Sequence, residues 1–411
     1  MTKTEFSELG LQEPLLRVLR SENYIHATPI QEQAVPMLLA GKDLLGIAQT
    51  GTGKTAAFGL PILQQLAANE DRPKSRYVRA LILAPTRELA IQINQALRTY
   101  GRNLNLRQAV VYGGVNQKSQ VDALRRGVDV LVATPGRLLD LLNQKHLRLD
   151  AVEHFVLDEA DRMLDMGFIR DVKKIVAALP KKRQTMFFSA TMPAAVTGLA
   201  ANILHEPERV AVAPQATPVE RIAQSVFFVS SGDKRTLLLD ILQDPAITRT
   251  IVFTRTKHRA NRVAEILERA GVRADAIHGN KSQAARQRAL KGFRDGRVRV
   301  LVATDIAARG IDVDAISHVI NFELPNVAED YVHRIGRTAR AGASGIAISL
   351  CDPSEQAFLR SIEGLTKVRL TVAGGEPARH EPPKAGQKPK RSGNRNRRQG
   401  GGGGQRSRRA A

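Results

Sequence analysis

An eight-residue segment near the amino terminus, Ala48 to Thr55, has the composition of a phosphate-binding loop. Its residues are Ala, Gln, Thr, Gly, Thr, Gly, Lys and Thr. Glycines allow backbone N–H groups to close around an anion at a helix N-terminus, where the helix dipole already favours negative charge. Lys54 is suited to reach the β- and γ-phosphates of a nucleotide, and the hydroxyl of Thr55 is suited to ligate Mg²⁺. The segment therefore predicts nucleotide binding.

The segments on either side of this loop support the prediction. The apolar run Leu44 to Ile47 predicts a strand, and Ala56 to Leu66 predicts a helix. Strand, small-residue turn and helix is the order that a phosphate-binding loop requires. The alternative is a glycine-rich turn with a surface lysine, which these flanks disfavour. The expected nucleotide contacts in the loop are Ala48 (in place of the usual first glycine), Gln49, Thr50, Gly51, Thr52, Gly53, Lys54 and Thr55.

Two carboxylates follow another apolar run and predict the catalytic part of the site. Asp158 and Glu159 come directly after His154–Leu157, and open α/β sheets bind their ligands at this end of their strands. Asp158 is suited to hold Mg²⁺ together with Thr55. Glu159 is suited to orient a water and to accept its proton during attack on the γ-phosphate. The carboxylates alone fit the acidic start of an ordinary helix equally well. Together with the phosphate loop they favour catalysis by Lys54, Asp158 and Glu159.

The charge of the chain indicates a polyanionic partner. Its 411 residues, 43% hydrophobic and 25% charged, predict two or three domains of an ordinary soluble protein. The 62 Lys and Arg against 40 Asp and Glu give a net charge of +22, which favours nucleic acid through counterion release. An anionic membrane surface is the alternative, but no basic amphipathic helix, lipidation motif, signal sequence or spanning apolar run supports it. We expect a cytoplasmic protein with no membrane partner.

Short apolar runs alternate with helical stretches along most of the chain. Such runs predict strands that are buried on both faces, and therefore an α/β fold with parallel sheets covered by helices. The expected strands of a first unit are Leu44–Ala48, Ala80–Ala84, Gln108–Tyr112, Asp129–Ala133, His154–Leu157 and Thr185–Phe188. Those of a second unit are Gln224–Val229, Thr250–Phe253, Ala274–Ile277, Val298–Ala303, His318–Asn321 and Gly345–Leu350. Only the first unit has the phosphate loop.

The composition separates these two units from a linker and a tail. We expect domains at residues 1–213 and 220–371, joined by a linker at 214–219 that contains prolines and no periodicity. Residues 372–411 hold eleven Lys and Arg, two Glu and five consecutive glycines, with no Phe, Tyr or Trp. This composition predicts a disordered basic tail that binds phosphates without sequence preference. A solely solubilising extension is the alternative.

The order of these and further motifs resembles that of the DEAD-box ATP-dependent RNA helicases. The likeness spans about residues 6–365 and includes AQTGTGKT, Asp158-Glu159-Ala160-Asp161 and Ser189-Ala190-Thr191. It implies two tandem RecA-like parallel-sheet domains joined by a short linker, with ATP and Mg²⁺ as cofactors and RNA as the partner. The segments DRMLDMGF at 161–168 and HGNKSQ at 278–283 most resemble the bacterial RhlE-like subgroup.

The resemblance implies which residues recognise the nucleotide. In the family an aromatic side chain and a glutamine precede the phosphate loop and contact adenine. Tyr24 and Gln31 stand at those positions, and Phe6 resembles a supporting aromatic further upstream. The assignment is chemically sensible, because an amide supplies both a hydrogen-bond donor and an acceptor to adenine. In the second domain the resemblance implies that Asp312 lies in the segment that approaches the sugar and phosphates of ATP.

The resemblance also implies a groove for the RNA backbone across both domains. Guanidinium groups, hydroxyls and loop N–H groups at the ends of strands are suited to phosphate oxygens. Each motif alone would fit an ordinary turn, but as a set they predict a groove. In the first domain the expected contacts are Arg87, Gly113, Gly114, Thr134, Pro135, Gly136 and Arg137. In the second domain they are Arg255, Gln283, Arg286 and Thr304.

A short motif after the sixth expected strand is implied to couple ATP hydrolysis to strand separation. Ser189 and Thr191 resemble the coupling motif of the family. We expect hydrogen bonds between this motif and the loop that contains Asp158 and Asp161. Three residues are too short to carry the assignment alone, so it depends on the order of the surrounding motifs.

A basic stretch of the second domain is implied to complete the ATP site. His333, Arg337 and Arg340 lie in a segment that resembles the motif with two arginine fingers, here Arg337 and Arg340. If a helix continues through them, the three side chains share one face. A basic helix face is usually only solvated, but the second domain lacks a phosphate loop of its own. Asn23 in the first domain and Ala339 in this stretch replace glycines of the family.

The expected function is ATP-dependent unwinding of RNA. ATP and RNA are expected to close the two domains, and RNA-stimulated hydrolysis to reopen them. This cycle would locally unwind or remodel short RNA duplexes and RNA–protein complexes. An ATP-gated RNA clamp or annealing chaperone would use the same motifs, and strand displacement measured beside annealing separates these functions. A DNA translocase is a third hypothesis, which ATPase stimulation by RNA rather than DNA would exclude. Ribosome-assembly and RNA-decay machinery remain open as partners.

Overall fold

The alternating apolar and helical segments form two sheets, each with helices on both of its faces. A computed structural model describes residues 4–49, 51–69, 71–212, 222–308, 313, 315–339 and 345–377 of the chain. The predicted linker and three of the predicted site residues, Thr50, Asp312 and Arg340, lie outside the described residues.

The first domain alternates strands with helices and begins with a 3₁₀ turn, Phe6–Leu9. Its strands are β1 Leu44–Ile47, β2 Val78–Leu83, β3 Gln108–Val111, β4 Val128–Ala133, β5 His154–Leu157, β6 Gln184–Ser189 and β7 Glu208–Ala211. Its helices are α1 Glu13–Ser21, α2 Pro29–Leu39, α3 Lys54–Ala68, α4 Arg87–Tyr100, α5 Lys118–Leu124, α6 Pro135–Asn143, α7 Ala160–Asp165, α8 Ile169–Ala177 and α9 Ala194–Ile203. The six predicted strands agree with β1 to β6 to within one or two residues.

The second domain repeats this alternation. Its strands are β8 Ile222–Phe228, β9 Thr250–Phe253, β10 Ala274–Ile277, β11 Val300–Ala303, β12 His318–Asn321, β13 Gly345–Cys351 and β14 Thr371–Gly374. Its helices are α10 Lys234–Ile241, α11 Lys257–Arg269, α12 Gln283–Arg294, α13 Asp305–Ala308, α14 Ala328–Ile335 and α15 Gln356–Thr366, with a 3₁₀ turn at Pro353–Glu355. No helix within the described ranges combines the length and the apolar character needed to cross a membrane.

Both sheets are parallel and share one strand order. The order is β3-β4-β2-β5-β6-β1-β7 in the first sheet and β10-β11-β9-β12-β13-β8-β14 in the second. Each strand of the second sheet therefore takes the place of the strand seven positions earlier. Parallel strands need crossover connections, usually helices, that cover the faces of the sheet. Every residue of β2 and of β4 is buried, so the prediction of parallel sheets covered by helices is confirmed.

The sequence patterns predict neither β7 nor β14, and these strands lie at equivalent sheet edges, beside β1 and β8. Val210 is buried in β7, whereas every residue of β14 is partly or fully exposed. A strand with an exposed face lacks the continuous apolar run that identifies a central parallel strand. The two edge strands therefore give too weak a signal to be predicted.

The position of β14 corrects the predicted start of the basic tail. This strand spans Thr371–Gly374 and pairs with β8, so a tail that begins at residue 372 is wrong. Thr371 and Val372 are β-branched and suit a strand. The segment is short, however, and Gly374 and Gly375 are typical of a turn or a loop, so the sequence pattern does not predict a strand here. Residues 378–411, with eleven Lys and Arg and one Glu, lie outside the described residues.

The first sheet holds its helices through a core on each face. Successive residues of a strand point to opposite faces, so Phe187 and Phe188 of β6 pack into different cores. Phe188 contacts Phe58 of α3, with ring centroids 5.5 Å apart. Gly46 in β1 makes room for the Phe188 ring, because a Cβ at this position would overlap it. The helix that follows the phosphate loop is thereby fixed to the sheet.

Removing residues 378–411 leaves β14 intact and takes away a net charge of 11 − 1 = +10. Basic segments bind RNA phosphates with release of counterions. For the RNA-stimulated ATPase that the resemblance implies, we therefore expect a higher RNA concentration for half-maximal stimulation, and a weaker dependence of that concentration on salt. The rate at saturating RNA should change little. An unchanged salt dependence in steady-state ATPase assays would show that this segment does not contact phosphates.

Candidate functional site

The predicted phosphate loop connects β1 to α3 in the first domain. Gly51 has a φ of 87° and Gly53 a φ of 92°, values that favour glycine because it has no Cβ. A Cβ at Gly53 would also overlap the side chains of Thr28 and Gln31. The two glycines therefore permit the turn into the N-terminus of α3, whose dipole favours an anion.

Lys54, the first residue of α3, is buried inside this loop. Its Nζ donates a hydrogen bond to the carbonyl oxygen of Ala48 at 2.9 Å and lies 3.8 Å from Oδ1 of Asp158. Asp158 follows β5, which ends at the same edge of the parallel sheet as β1. The fold therefore brings the predicted lysine and the predicted carboxylate together from distant parts of the chain.

Asp158 is a buried carboxylate with an oxygen suited to a cation. Burial raises its pKa to about 6, while the ammonium of Lys54 acts in the opposite direction and Glu159 adds to the increase. Within the described part of the chain, Oδ1 of Asp158 accepts no hydrogen bond. Buried polar atoms normally have partners, and Mg²⁺ takes oxygen ligands, often one or two carboxylates beside phosphates. The donor set at this position fits Mg²⁺.

Gln31 lies on α2, beside the phosphate loop. Its Nε2 donates a hydrogen bond to the carbonyl oxygen of Gly53 at 3.0 Å, and its Oε1 accepts one from the N–H of Thr28 at 2.9 Å. A side-chain amide has two N–H donors and a carbonyl oxygen with two lone pairs. These two bonds therefore fix the orientation of the amide and leave a second donor and a second acceptor for a ligand.

The segment before α2 presents Tyr24 at the surface. The Tyr24 side chain is 48% exposed and packs edge-on against Tyr100, with ring centroids 6.3 Å apart. Asn23 has a left-handed φ of 59°. Asparagine tolerates this conformation better than most residues, which explains how it replaces the glycine of the family. Phe6 is buried in the core, and its N–H donates to the carbonyl of Ile25 at 3.3 Å. Phe6 thus supports the segment from the core.

Hydrogen bonds join the loop after β5 to the segment after β6. Oδ2 of Asp161 accepts from the N–H and from the hydroxyl of Thr191, each at 2.9 Å. The Ser189 hydroxyl donates to the carbonyl of Thr191 at 2.7 Å and accepts from the N–H of Asp161 at 3.3 Å. The expected hydrogen bonds between these motifs are present, and Asp161 is the residue of the loop that forms them.

Glu159 precedes α7 in an unusual backbone conformation. Its φ of 55° lies in the left-handed region, which costs a residue other than glycine about 1–2 kcal/mol. The side chain is buried and pairs with Arg162, whose Nη1 lies 2.5 Å from Oε2 of Glu159. The sequence patterns assign no role to Arg162. The signal that could have identified it is its spacing, because opposite charges three residues apart meet on a helix.

A cavity of about 490 Å³ is lined by residues of both domains. Glu159 and Thr191 line it from the first domain, and His333 and Arg337 line it from the second. The side chain of Arg337 is buried at this boundary. The structure therefore brings predicted catalytic residues of both domains to one space, although neither domain alone encloses it.

The helix that carries His333 ends before it reaches Arg337. Gly336 is the C-cap of α14, and a turn follows in which the N–H of Arg337 donates to the carbonyl of Arg334 at 3.1 Å. The condition for a shared helix face is therefore not met. Instead, Nε of Arg337 donates to the carbonyl of His333 at 3.1 Å. Ala339 has a left-handed φ of 56°, the conformation for which the family uses glycine.

A groove, also of about 490 Å³, lies against both domains. The predicted RNA contacts that line it are Arg87, Gly113, Thr134, Gly136 and Arg137 from the first domain and Arg286 from the second. Gly114 adjoins the groove, because a Cβ at this position would overlap the guanidinium of Arg87. Pro135 is buried at the first position of α6. Most of the predicted contacts of the first domain thus lie together.

Glu88 of α4 contacts the second domain beside this groove. Its Oε2 lies 3.0 Å from Nη2 of Arg286, and its Oε1 accepts from Nε2 of Gln283 at 3.1 Å. Burial lowers the pKa of Arg286, while Glu88 acts in the opposite direction. Gln283 and Arg286, both predicted to contact RNA, therefore also join the domains. Glu88 lies within a predicted RNA motif, but no local signal indicates its partner, because the contact forms across the fold.

Arg255 is held within the second domain rather than at the groove. Its Nη2 lies 2.9 Å from Oε1 of Glu355, and its Nη1 donates to Oδ1 of Asn326 at 3.2 Å. Glu355 is fully buried and also pairs with Lys234. The side chain of Arg255 is 28% exposed, so part of it faces solvent. Thr304 lies at the carboxyl end of β11, also outside the lining of the groove.

Arg334 is the arginine of the basic stretch that is internal to the second domain. Its Nε and Nη2 lie 2.5 Å and 2.8 Å from the two carboxylate oxygens of Asp305. Its Nη1 donates to Oδ1 of Asn321 at 3.2 Å and to the carbonyl of Glu323 at 2.6 Å. These contacts fix the basic stretch to the ends of β11 and β12. Of the two arginines of the stretch that the structure describes, Arg337 is the one that lines the cavity.

Comparison with known proteins identifies the family. The family model described as DEAD/DEAH box helicase matches residues 28–199, and the helicase conserved C-terminal domain matches residues 233–342. The chain is 44% identical over 367 residues to the ATP-dependent RNA helicase CshA of Listeria monocytogenes, which covers 89% of this chain and 70% of the relative. The chain belongs to the DEAD-box family of ATP-dependent RNA helicases. It is therefore an enzyme that hydrolyses ATP and acts on RNA.

Further relatives agree with this assignment. The DEAD-box ATP-dependent RNA helicase CshA of Bacillus subtilis is 44% identical over 368 residues, or 89% of this chain and 73% of the relative. The structure of S. cerevisiae Dbp5 bound to RNA and ADP BeF3 has a TM-score of 0.78 and 31% identity, and the match covers 90% of this chain and 95% of that chain. The expected pair of RecA-like domains is confirmed. The bacterial relatives are named CshA, so they do not support the RhlE-like subgroup in particular.

Glu88→Gln should weaken the contact between the domains of this helicase without removing a predicted RNA contact. The change leaves Arg286 buried without its counter-charge, and loss of one partner of such a pair costs about 2 kcal/mol or more. We expect the RNA concentration that half-saturates the ATPase to rise by about tenfold or more. Glu265→Gln, at an exposed position on α11, is the control. Equal RNA dependence of the two variants would contradict a role of Glu88 in domain contact.

Proposed function

We propose that this DEAD-box helicase couples RNA-stimulated ATP hydrolysis to local unwinding or remodelling of short RNA duplexes and RNA–protein complexes. The observation that carries the proposal is the cavity that Glu159 and Arg337 line from different domains. A general base on one domain and a guanidinium on the other complete a site only when the domains meet. The groove with the predicted RNA contacts also lies against both domains, so RNA that occupies it favours the same arrangement. Hydrolysis then depends on RNA.

In the proposed ATP site the first domain binds the nucleotide. Adenine contacts Tyr24 and the second donor and acceptor of Gln31, in a segment that Phe6 supports. The N–H groups of the loop from Ala48 to Thr55 surround the phosphates at the start of α3. Mg²⁺ would be held by the hydroxyl of Thr55 and the carboxylate of Asp158, an assignment supported by the buried Oδ1 of Asp158, which accepts no hydrogen bond from the described residues. When bound, it neutralises charge on the phosphates.

The proposed chemistry uses groups of both domains. Glu159 orients a water and accepts its proton as the water attacks the γ-phosphate. Lys54 stabilises the negative charge on the phosphates from the first domain, and Arg337 and Arg340 do so from the second, with His333 beside them. Asp312 approaches the nucleotide from the same domain. Because guanidinium groups stabilise a transition state only when they reach it, hydrolysis is slow until the domains are in contact.

The proposed coupling to RNA runs through the groove and the Asp161–Thr191 hydrogen bonds. RNA phosphates contact the groups that line the groove, among which Arg87 and Arg137 supply guanidinium groups. A backbone bound in this way carries little sequence information. Asp161 and Thr191 join the loop of the general base to the segment after β6. This connection is the proposed route by which a change at the phosphate during hydrolysis reaches the bound RNA.

We also propose a cellular setting from the sequence likeness. The segments DRMLDMGF and HGNKSQ support membership of the RhlE-like subgroup, beside the likeness to CshA reported above. The cytoplasm is the proposed location, and ribosome-assembly or RNA-decay machinery are the proposed partners. Co-purification of ribosomal particles or of a ribonuclease with the full chain from its own cells tests the partner proposal. Recovery of neither class would contradict it.

Arg337→Ala should abolish RNA-stimulated hydrolysis while ATP binding is largely retained. Arginine fingers in related nucleotide hydrolases contribute about 10³–10⁵ in rate, and the loss of Arg337 leaves the first-domain half of the site intact. Steady-state ATPase rates at saturating RNA, with nucleotide affinity measured in parallel, test this expectation. Arg170→Ala, at an exposed position on α8, is the control. Near-normal turnover of Arg337→Ala would contradict completion of the site across the cavity.

Glu159→Gln should trap a complex of enzyme, ATP and RNA. Glutamine keeps the shape of the side chain but cannot accept a proton, and general base catalysis contributes about 10²–10⁴ in rate. Binding of both ligands should survive, so RNA should dissociate slowly while ATP is present. Fluorescence anisotropy of labelled RNA after addition of unlabelled competitor measures this release. Fast release in the presence of ATP would count against the assignment.

A further inference from the structure

We propose that Arg162 is a positioning residue that holds Glu159 in the orientation needed for activation of water. The inference depends on the proposed function, in which Glu159 is the general base. It assigns a role in the reaction to the residue directly after Asp161. The role is indirect, because Arg162 acts on the carboxylate and not on the nucleotide.

The first observation is a buried ion pair at the wall of the cavity. Nη1 of Arg162 lies 2.5 Å from Oε2 of Glu159, and the two side chains are 8% and 5% exposed. Both residues line the cavity that Arg337 reaches from the second domain. A buried pair is strongly destabilised when one partner leaves, because the remaining charge is uncompensated. The pair therefore restricts the rotation of the Glu159 carboxylate.

The second observation is the backbone that supports this pair. Glu159 has a φ of 55° and a ψ of 53°, and Arg162 lies three residues later in the first turn of α7. Residues other than glycine rarely adopt this conformation, and such strain occurs often at functional sites. Glu159 is the residue directly before α7, and its side chain meets that of Arg162 in the first turn of the helix. The ion pair is a favourable interaction that helps to hold Glu159 in its strained conformation.

The third observation is the link between Arg162 and the coupling motif. The N–H of Arg162 donates to Oδ1 of Asp161 at 3.0 Å. The other oxygen of the same carboxylate accepts from the N–H and the hydroxyl of Thr191. A displacement of the segment that contains Thr191 would therefore act on Asp161, then on Arg162, and through the ion pair on Glu159. This is a contiguous path from the coupling motif to the general base.

A purely structural ion pair is the alternative explanation, and the chain offers a matched control. Arg125 and Asp122 also stand three residues apart at the end of a helix, with Nη1 3.4 Å from Oδ1. That pair is exposed, at 71% and 48% for its two side chains, and it lies outside the lining of the cavity and of the groove. Removal of Arg125 therefore breaks an ion pair of the same spacing and removes the same charge, but leaves the contact between Arg162 and Glu159 in place.

Arg162→Met removes the charge and keeps an apolar stem. We expect kcat of RNA-stimulated ATP hydrolysis to fall about a hundredfold, which is the effect of a misplaced catalytic group. KM for ATP and the half-saturating RNA concentration should stay within about twofold of their original values. Arg162→Lys restores the charge but not the planar guanidinium, so it should recover part of the lost rate. Arg125→Met should keep the full rate. An unchanged kcat of Arg162→Met would overturn the inference. A faster rate would also overturn it, because the ion pair would then hold Glu159 away from its productive orientation.

A double-mutant cycle separates positioning from a general structural effect. Single-turnover hydrolysis is measured for Arg162→Met, Glu159→Gln and the double variant, each with its melting temperature. If Arg162 acts through Glu159, its substitution in the Glu159→Gln background should lower the rate by at most about twofold more. Fully multiplicative losses would overturn the inference. If Arg162→Met does not fold, the same cycle with Arg162→Lys decides. Near-normal hydrolysis by Glu159→Gln would instead contradict the proposed function itself.

Discussion

The buried carboxylate of Glu88 joins the two domains within the described part of the chain. Each domain carries only part of the chemistry, with the phosphate loop in the first and Arg337 in the second, so neither sheet alone forms the cavity. Glu88 lies in the first turn of α4 and meets Gln283 and Arg286 at the start of α12. A carboxylate removed from water is unfavourable without partners. This contact therefore favours the arrangement in which residues of both domains line one cavity.

Central strands could be predicted from the sequence, whereas sheet edges and one helix end could not. A strand covered on both faces is mostly apolar, and such a run is visible without knowledge of its neighbours. β2 and β4 fit this rule apart from Arg79 and Asp129, which are buried as an ion pair at 3.3 Å. Partial exposure in β7 and β14 depends on their place in the sheet and leaves no run to detect. The end of α14 at Gly336 is likewise set by the turn that follows it.

The parts of the site that could be predicted are those whose chemistry lies in one short segment. Gly51 and Gly53 adopt left-handed conformations within the phosphate loop itself, so the local sequence pattern is sufficient to predict the loop. The contacts of Glu88 and Arg255 were not predicted, because their partners lie far along the chain. Arg162 is the intermediate case, since its partner is three residues away. The burial of this pair beside the cavity is the reason to connect it with catalysis, and that burial can be seen only in the folded structure.

The shared strand order explains why an asymmetric site arises from two similar domains. β5 and β12 occupy the same place in their sheets. After β5 the chain supplies Glu159, and after β12 it supplies the stretch with His333 and Arg337. The residue before α7 thus contributes a carboxylate and the turn after α14 contributes a guanidinium, and both line one cavity. Opposite charges at a shared boundary attract, whereas two copies of either would repel. Different side chains in the segments that follow equivalent strands therefore allow one fold, used twice, to form a single site.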